Sequence, residues 1–203
     1  MFSRRVAPPR PEDEKILEIV RELCGQLSYH SPEFQTVSWR DRIGARRMAP
    51  DEVIVRPENL LLSARAMGRL TLEGWRPILA SGLIYHKNLG RWYFRRMMTT
   101  MVPVIILLVP ALLLDFRYLS GERVLFELVL YSLIALTLVQ GARLLLYLKK
   151  MWFRADEQAA RVVGREQLVS SLTKMGLIDP SATKRKKGLV HPSISERIQH
   201  LSN

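Results

Sequence analysis

Cysteine and histidine are both scarce in this chain. It has one cysteine, Cys24, among 203 residues, and a single thiol can form neither an internal disulfide nor a cluster of thiolate metal ligands. The four histidines, His30, His86, His191 and His200, lie far apart in the sequence, without the short spacing of common zinc motifs. A disulfide-stapled fold is excluded, and a metal site built from closely spaced histidines is not indicated.

Acidic residues are also in short supply. There are 19 of them against 31 lysines and arginines, which gives a formal net charge of +12. Such an excess predicts a polyanionic neighbour, either nucleic acid or the anionic face of a membrane. Hydrophobic residues make up 48% of the chain and charged residues 25%, a balance that excludes a disordered polymer. The length is typical of one domain that carries insertions.

Two long apolar stretches predict a transmembrane hairpin. Residues 97–114 carry no charge, and as a helix they would span about 27 Å, which matches the hydrocarbon core of a bilayer. The second stretch, residues 124–148, contains an uncharged run at 128–142. A chain this short has too little other mass to bury two such helices on all sides. We therefore expect an integral protein of the cell membrane with two spans.

The distribution of charge predicts the orientation of the hairpin. Residues 1–96 and residues 149–203 each carry a net charge of +6, whereas residues 97–148 are balanced. Basic flanks are typical of the cytoplasmic side of a membrane, so both termini are expected there. Residues 1–96 and 149–203 are then the two parts of one cytoplasmic domain, and the lipid bilayer and its anionic headgroups are predicted partners.

Nucleic acid is the less favoured polyanion. The densest basic run is Lys184-Arg185-Lys186-Lys187, and a short basic loop beside a membrane more often faces lipid or solvent. No aromatic residues are interleaved with it, although proteins that bind single strands use such residues to stack bases.

Hydrophobic periodicity predicts an α+β fold that is mainly α, with a small sheet. Ser193 and Glu196 have the spacing of a capping box and predict a short final helix. The expected strands are residues 35–39 and 53–55, and the expected helices begin after Glu12–Glu14 and then cover residues 59–69, 73–96, 151–163 and 166–175.

Several short motifs surround the predicted hairpin in a fixed order. LEGWRPILA occupies residues 72–80, Ala155-Asp156 is followed by Ala159-Ala160, and HPS at 191–193 is followed by ERI at 196–198. In this order the chain resembles the HtpX-like membrane zinc metalloproteases, relatives of the CAAX prenyl proteases, over about residues 12–203. The resemblance implies a zincin-like cytoplasmic domain into which a transmembrane hairpin is inserted.

The resemblance also implies where the active-site residues should be, but most of the family's active-site residues are absent from those positions. Aligned on LEGWRPILA, the two histidine positions of the family's HExxH motif hold Ser81 and Tyr85, and the general-base position holds Gly82. The third zinc ligand of the family's ExxxD motif is replaced by Trp152, and Asp156 alone keeps its family identity. Serine is a poor zinc ligand, tyrosine ionises only near pH 10, and glycine has no side chain. We therefore expect no catalytic residue and no metal ligand, although zinc is the family's cofactor.

Two of these assignments have an alternative interpretation. Shifting the alignment by one residue places His86 at the second histidine, but glycine and leucine then stand at the first histidine and the base. Asp156 is either a relict of the zinc-binding cleft or a carboxylate on a helix surface. Since Trp152 and Asp156 share a helix face, we favour the relict cleft.

The predicted function is binding without catalysis. Family proteases hold an extended substrate against an edge strand, and such backbone pairing survives loss of a metal. A polypeptide or membrane-protein partner is therefore expected either at Val53, Ile54 and Val55 or at the cleft near Ser81, Tyr85 and Trp152. Two alternatives stay open: an active membrane metalloendopeptidase with a non-standard metal site, and a basic adaptor that binds anionic lipid or nucleic acid.

Overall fold

The computed structural model describes residues 10–29, 34–118, 123–179 and 190–203. It is mainly helical with a small sheet, so the predicted α+β class is confirmed. The helices are α1 (Pro11–Gln26), α2 (Leu72–Tyr118), α3 (Arg123–Val163), α4 (Arg165–Ile178) and α5 (Ile194–Ser202). The strands are β1 (Thr36–Arg40), β2 (Arg42–Ile43), β3 (Arg46–Arg47), β4 (Val53–Arg56) and β5 (Asn59–Ser63).

The sheet has β5 at its centre. Its strand order is β1-β5-β4, with β1 parallel and β4 antiparallel to β5, and β2 and β3 form a separate small hairpin. Pro57 and Glu58 connect β4 to β5 in a two-residue turn. Glu58 has φ +62°, and a positive φ at the second turn position after proline is typical of a type II turn.

Residues 59–69 were expected to form a helix, and this prediction was wrong. The segment starts as strand β5 and continues into a 3-10 turn at Ala64–Ala66. Leu60, Leu61 and Leu62 are all buried, so the strand is covered on both faces. A strand of this kind has a continuous apolar run in place of alternation, and periodicity alone does not distinguish it from a buried helix.

The two longest helices each join a buried part to an exposed apolar part. α2 is continuous over 47 residues and α3 over 41, so the predicted helix at 73–96 does run without a break into residues 97–114. The helix expected at 151–163 is the last part of α3. The final helix begins with the predicted capping box, in which the Ser193 hydroxyl accepts a hydrogen bond from the backbone N–H of Glu196.

One stretch of the described residues is long and apolar enough to cross a membrane. It is Tyr131–Val163 in α3, and none of its most apolar window is buried. The sequence predicts two spans. The first, residues 97–114, is helical, but most of its side chains lie outside the described residues, as do residues 119–122 of the connection.

The core of the described residues lies where α1, the sheet and the first part of α2 meet. The rings of Trp39 and Trp75 make an edge-to-face contact with centroids 5.5 Å apart. Trp39 also donates a hydrogen bond from Nε1 to Asp13 Oδ1 at 2.7 Å. The last part of α3 and helix α4 pack against α2, and α5 packs against α4 and α3. This arrangement places side chains of α2, α3 and α5 close together.

Candidate functional site

A buried arginine lies at the centre of this meeting point. Arg197 on α5 is 1% exposed. Its Nε and Nη2 donate to the two carboxylate oxygens of Asp156 on α3, at 2.8 and 2.5 Å, and its Nη1 donates to Asp51 at 2.5 Å. Both carboxylates are buried as well. A bidentate pair of this kind is the strongest geometry available to arginine.

Ser81 on α2 completes the group, which we call the Arg197 cluster (Asp51, Ser81, Asp156 and Arg197). The Ser81 hydroxyl donates to Asp156 at 2.6 Å and accepts from Arg197 Nη2 at 3.0 Å. Three helices and the segment before β4 are therefore joined by charge-assisted hydrogen bonds in a buried environment, where such bonds have their largest effect. Two carboxylates surround one guanidinium.

Arg197 is buried because of its position on α5. Ile194, Arg197 and Leu201 are all buried, and their spacing places them on one face of the helix. Burial by itself lowers the pKa of Arg197, but the carboxylates of Asp156 and Asp51 outweigh this effect and raise the pKa above its ordinary value. The guanidinium is therefore charged at neutral pH.

An aromatic stack covers one side of the Arg197 cluster. The rings of Tyr85 and Trp152 are nearly parallel with centroids 4.0 Å apart, and the ring of His191 lies 4.5 Å from that of Trp152. The Arg197 guanidinium carbon is 5.1 Å from the centre of the Trp152 ring, within the range of a cation–π interaction. Burial raises the pKa of Tyr85 to about 12. The phenol is therefore protonated at neutral pH.

Gly82 allows strand β4 to approach helix α2 closely. A Cβ atom at this position would lie 2.6 Å from the Cβ of Val53, a distance that side chains do not tolerate. The residue that follows Ser81 is thus small because of packing against the sheet. Gly82 faces Val53, and Ser81 faces Asp156.

His86 lies along the outer edge of β4. In a hairpin with a two-residue turn, hydrogen-bonded and non-hydrogen-bonded pairs alternate from the turn outward, so the backbone groups of Val53 and Val55 point away from β5. His86 Nε2 lies 3.1 Å from the Val53 carbonyl oxygen and 3.4 Å from the Val55 nitrogen. The side chain therefore occupies the position at which another strand would pair with β4.

The position of His86 predicts a pH dependence of stability. Burial lowers its pKa below the ordinary value of 6.5, against smaller opposing effects of the Val53 carbonyl and Glu52. The unfolded chain binds a proton near pH 6.5 and the folded chain only at lower pH, so stability is fully present above pH 6.5 and falls as the pH decreases. We expect the thermal midpoint to fall between pH 7.5 and 5.5, and to fall less in His86→Gln.

His200→Gln is the matched control, because His200 is more exposed and pairs with Glu157 at the surface. The interpretation fails if His86→Gln and wild type lose the same thermal stability over this pH range while His200→Gln removes the loss.

The structure brings four of the five relict positions together. Ser81 contacts Asp156, and Tyr85 stacks on Trp152, although each pair is separated by more than 60 residues. Gly82 lies apart from these contacts, against β4.

The proposed peptide-binding residues lie on β4. Val53 is buried, and Ile54 and Val55 are partly buried.

Sequence reasoning missed two members of the Arg197 cluster, Asp51 and Arg197. For Arg197 there was a signal, because an arginine three residues after Ile194 and four before Leu201 lies on the apolar face of a short amphipathic helix. Asp51 gave no comparable signal, since it follows a loop of irregular structure. The ring of His191 also belongs to the site, whereas the sequence singled this residue out only as part of the HPS motif.

No protein-family model, curated protein or solved structure matches the chain. Among the described residues, no three side chains of histidine, cysteine, aspartate or glutamate are grouped as a metal site would group them.

Proposed function

We propose that this protein is a membrane-anchored, catalytically inactive relative of the HtpX-like metalloproteases, and that it binds a polypeptide or a membrane-protein partner. The observation that carries the proposal is the Arg197 cluster. The position that the resemblance assigns to a zinc-binding histidine holds Ser81, and the hydroxyl of Ser81 is already bound to both Asp156 and Arg197.

The contact between Ser81 and Asp156 supports the family relationship. In the family that the chain resembles, the aspartate at this position orients a zinc ligand. Here the residue at the first ligand position is 2.6 Å from that aspartate. The motifs around these two residues were matched separately, so their meeting in the fold is an independent point in favour of the alignment.

The donor set at these positions does not suit a zinc ion. Catalytic zinc is held by three nitrogen, sulfur or carboxylate ligands. The Tyr85 phenol remains protonated at neutral pH because burial raises its pKa, and Asp156 accepts two hydrogen bonds from a guanidinium. A divalent ion at Asp156 would have to displace the buried positive charge of Arg197 or lie beside it.

The membrane part of the proposal rests on α2 and α3. We propose two spans, about residues 97–114 and 124–148, with both termini on the cytoplasmic side. Tyr131–Val163 supports the second span by its length and apolar exposure. Lys149 lies at the end of this span and forms an ion pair with Glu196 on α5 at 2.8 Å, which would place α5 next to the anionic headgroups.

A partner is proposed to recognise the surface that α2, α3 and α5 form beside the membrane. The aromatic stack fixes how these helices meet, since Tyr85 lies on α2, Trp152 on α3, and His191 just before α5. Trp152 is itself 3% exposed. Its effect on binding is therefore expected through the positions of the three helices.

Trp152→Ala is expected to remove the partner from crosslinking and pull-down experiments in native membranes. Truncation of a buried tryptophan destabilises a protein by about 3–5 kcal/mol and lets the stack collapse. Trp152→Phe keeps a ring in the stack and should retain the partner. Phe153→Ala, on the next residue of α3, is a control for aromatic truncation outside the stack.

Binding at this surface is contradicted if the Trp152→Ala protein is still folded and crosslinks to the same set of proteins as wild type.

A second measurement tests whether the protein is catalytically inactive. Purified protein is analysed for metal and assayed for casein cleavage with and without a chelator. Stoichiometric zinc together with chelator-sensitive cleavage would show an active metalloendopeptidase and refute the proposal. Binding to anionic lipid or nucleic acid alone would favour the basic adaptor.

A further inference from the structure

The sheet has a second edge, formed by β1, and its backbone groups point outward. The Thr36 N–H donates to the Glu58 carbonyl at 3.1 Å, and β1 is parallel to β5 in this register. In a parallel ladder alternate residues direct their N–H and C=O groups to the neighbouring strand. The residues between them, Val37 and Trp39, therefore present both backbone groups to the opposite side.

This edge is unpaired in the described part of the chain. No strand there lies on the outer side of β1, and no hydrogen bond joins the backbone of Val37 or Trp39 to another described residue. The edge of β4 is different, because the side chain of His86 on α2 occupies its backbone groups. Of the two sheet edges, β1 is the one whose outward backbone groups have no hydrogen-bond partner among the described residues.

β1 is held rigidly for such pairing. Trp39 contacts the ring of Trp75 on α2 and donates to Asp13 on α1. Its side chain is therefore fixed on the inner face while its backbone faces outward. A strand that is already ordered loses little conformational entropy when a peptide binds to it.

Exposed arginines continue directly from this edge. Residues 40–47, RDRIGARR, contain four arginines and one aspartate. Arg42 and Arg47, which pair across the β2–β3 hairpin, are exposed, whereas Arg46 is bound to Glu52. Opposite charge along an interface selects the partner and speeds association.

We propose that the outer edge of β1 binds an extended, acidic polypeptide segment by strand addition, with Arg42 and Arg47 contacting its carboxylates. This proposal rests on the proposed function, in that it names the surface and the chemistry of the polypeptide partner. Backbone hydrogen bonds to Val37 and Trp39 supply the pairing. The arginines of the hairpin supply the preference for acidic residues.

The test uses the full chain in nanodiscs of neutral lipid and a fluorescent decapeptide of alternating threonine and glutamate. Val37→Pro removes an outward N–H, and an edge strand tolerates proline where the N–H faces solvent. Arg42→Glu combined with Arg47→Glu reverses the charge of the hairpin. Each variant is expected to weaken peptide binding by about tenfold or more.

Val55→Pro is the matched control at the other edge, and it should leave peptide affinity within about twofold because His86 already occupies that edge. Two control peptides, one with lysine in place of glutamate and one N-methylated at alternate backbone amides, should bind at least about tenfold more weakly. If Val37→Pro does not fold, the hairpin variant and the methylated peptide still decide the question.

Several outcomes would overturn the assignment of β1. Equal binding of the methylated and unmethylated peptides would show that no strand pairs there. Loss of binding in Val55→Pro alone would place the peptide at β4 and leave the proposed function intact. Binding of phosphatidylserine vesicles that depends on Arg42 and Arg47, without peptide binding, would make this surface a lipid contact. Failure of the proposed function itself would be recognised separately, by zinc content and chelator-sensitive cleavage.

Discussion

Replacement of Arg197 by methionine is expected to lower the free energy of unfolding by about 3–5 kcal/mol, since removing one partner of a buried ion pair leaves an uncompensated charge. Here two carboxylates, Asp51 and Asp156, would lose their shared guanidinium. The hydroxyl oxygen of Ser81 would also lose the hydrogen bond that it accepts from Arg197. Unfolding by urea in detergent micelles, followed by tryptophan fluorescence, measures the loss.

Arg154→Met is the matched control for this prediction. Arg154 lies on α3 and is exposed, so its replacement should change the free energy of unfolding by less than about 0.5 kcal/mol. Adding Asp51→Asn and Asp156→Asn to Arg197→Met removes the uncompensated charges and should restore part of the stability. An Arg197→Met protein that unfolds within about 1 kcal/mol of wild type would show that the Arg197 cluster contributes little.

Replacement of Gly82 by alanine is expected to destabilise the protein although alanine is the better helix former. Alanine gains about 1 kcal/mol over glycine inside a helix, but the added Cβ would lie 2.6 Å from Val53 Cβ. That atom belongs to the stem of a side chain in β4 and cannot rotate away. Overpacking costs about 1–3 kcal/mol, so we expect a net loss, and a larger one for Gly82→Val.

Gly90 provides the control on the same helix. A Cβ at this position would meet nothing within 4 Å, so Gly90→Ala should raise the free energy of unfolding by up to about 1 kcal/mol. The thermal midpoints of the two alanine variants should therefore move in opposite directions. A Gly82→Ala protein as stable as Gly90→Ala would show that β4 and α2 are not in close contact.

The fold was predictable where the signal is local. Acidic residues after Pro11 indicate the start of α1, and the spacing of Ser193 and Glu196 identifies the start of α5. The helix predicted from Asn59 onward was wrong because the leucines of this segment are buried on both faces of a central strand. Tertiary packing determines that environment, and the identity of the residues alone does not reveal it.

The candidate site was predictable in part for a related reason. Ser81 and Asp156 were identified through the order of motifs, and the structure places them in contact. The partner that joins them, Arg197, comes from a helix 41 residues further along the chain. The pairing of Arg197 with Asp156 depends on how α5 packs against the other helices, and a single sequence carries no direct signal of that packing.

Helix α3 is unbroken from its apolar stretch to Asp156. If the proposed second span, which ends at about residue 148, lies in a bilayer, Asp156 is about 12 Å beyond it along the axis, at 1.5 Å per residue. A ten-degree change in the tilt of α3 relative to α5 would then move Asp156 sideways by about 2 Å, and tilt responds to bilayer thickness. A shift of that size would lengthen the hydrogen bonds from Arg197 beyond their normal range, so the thickness of the surrounding lipid would affect a buried ionic contact.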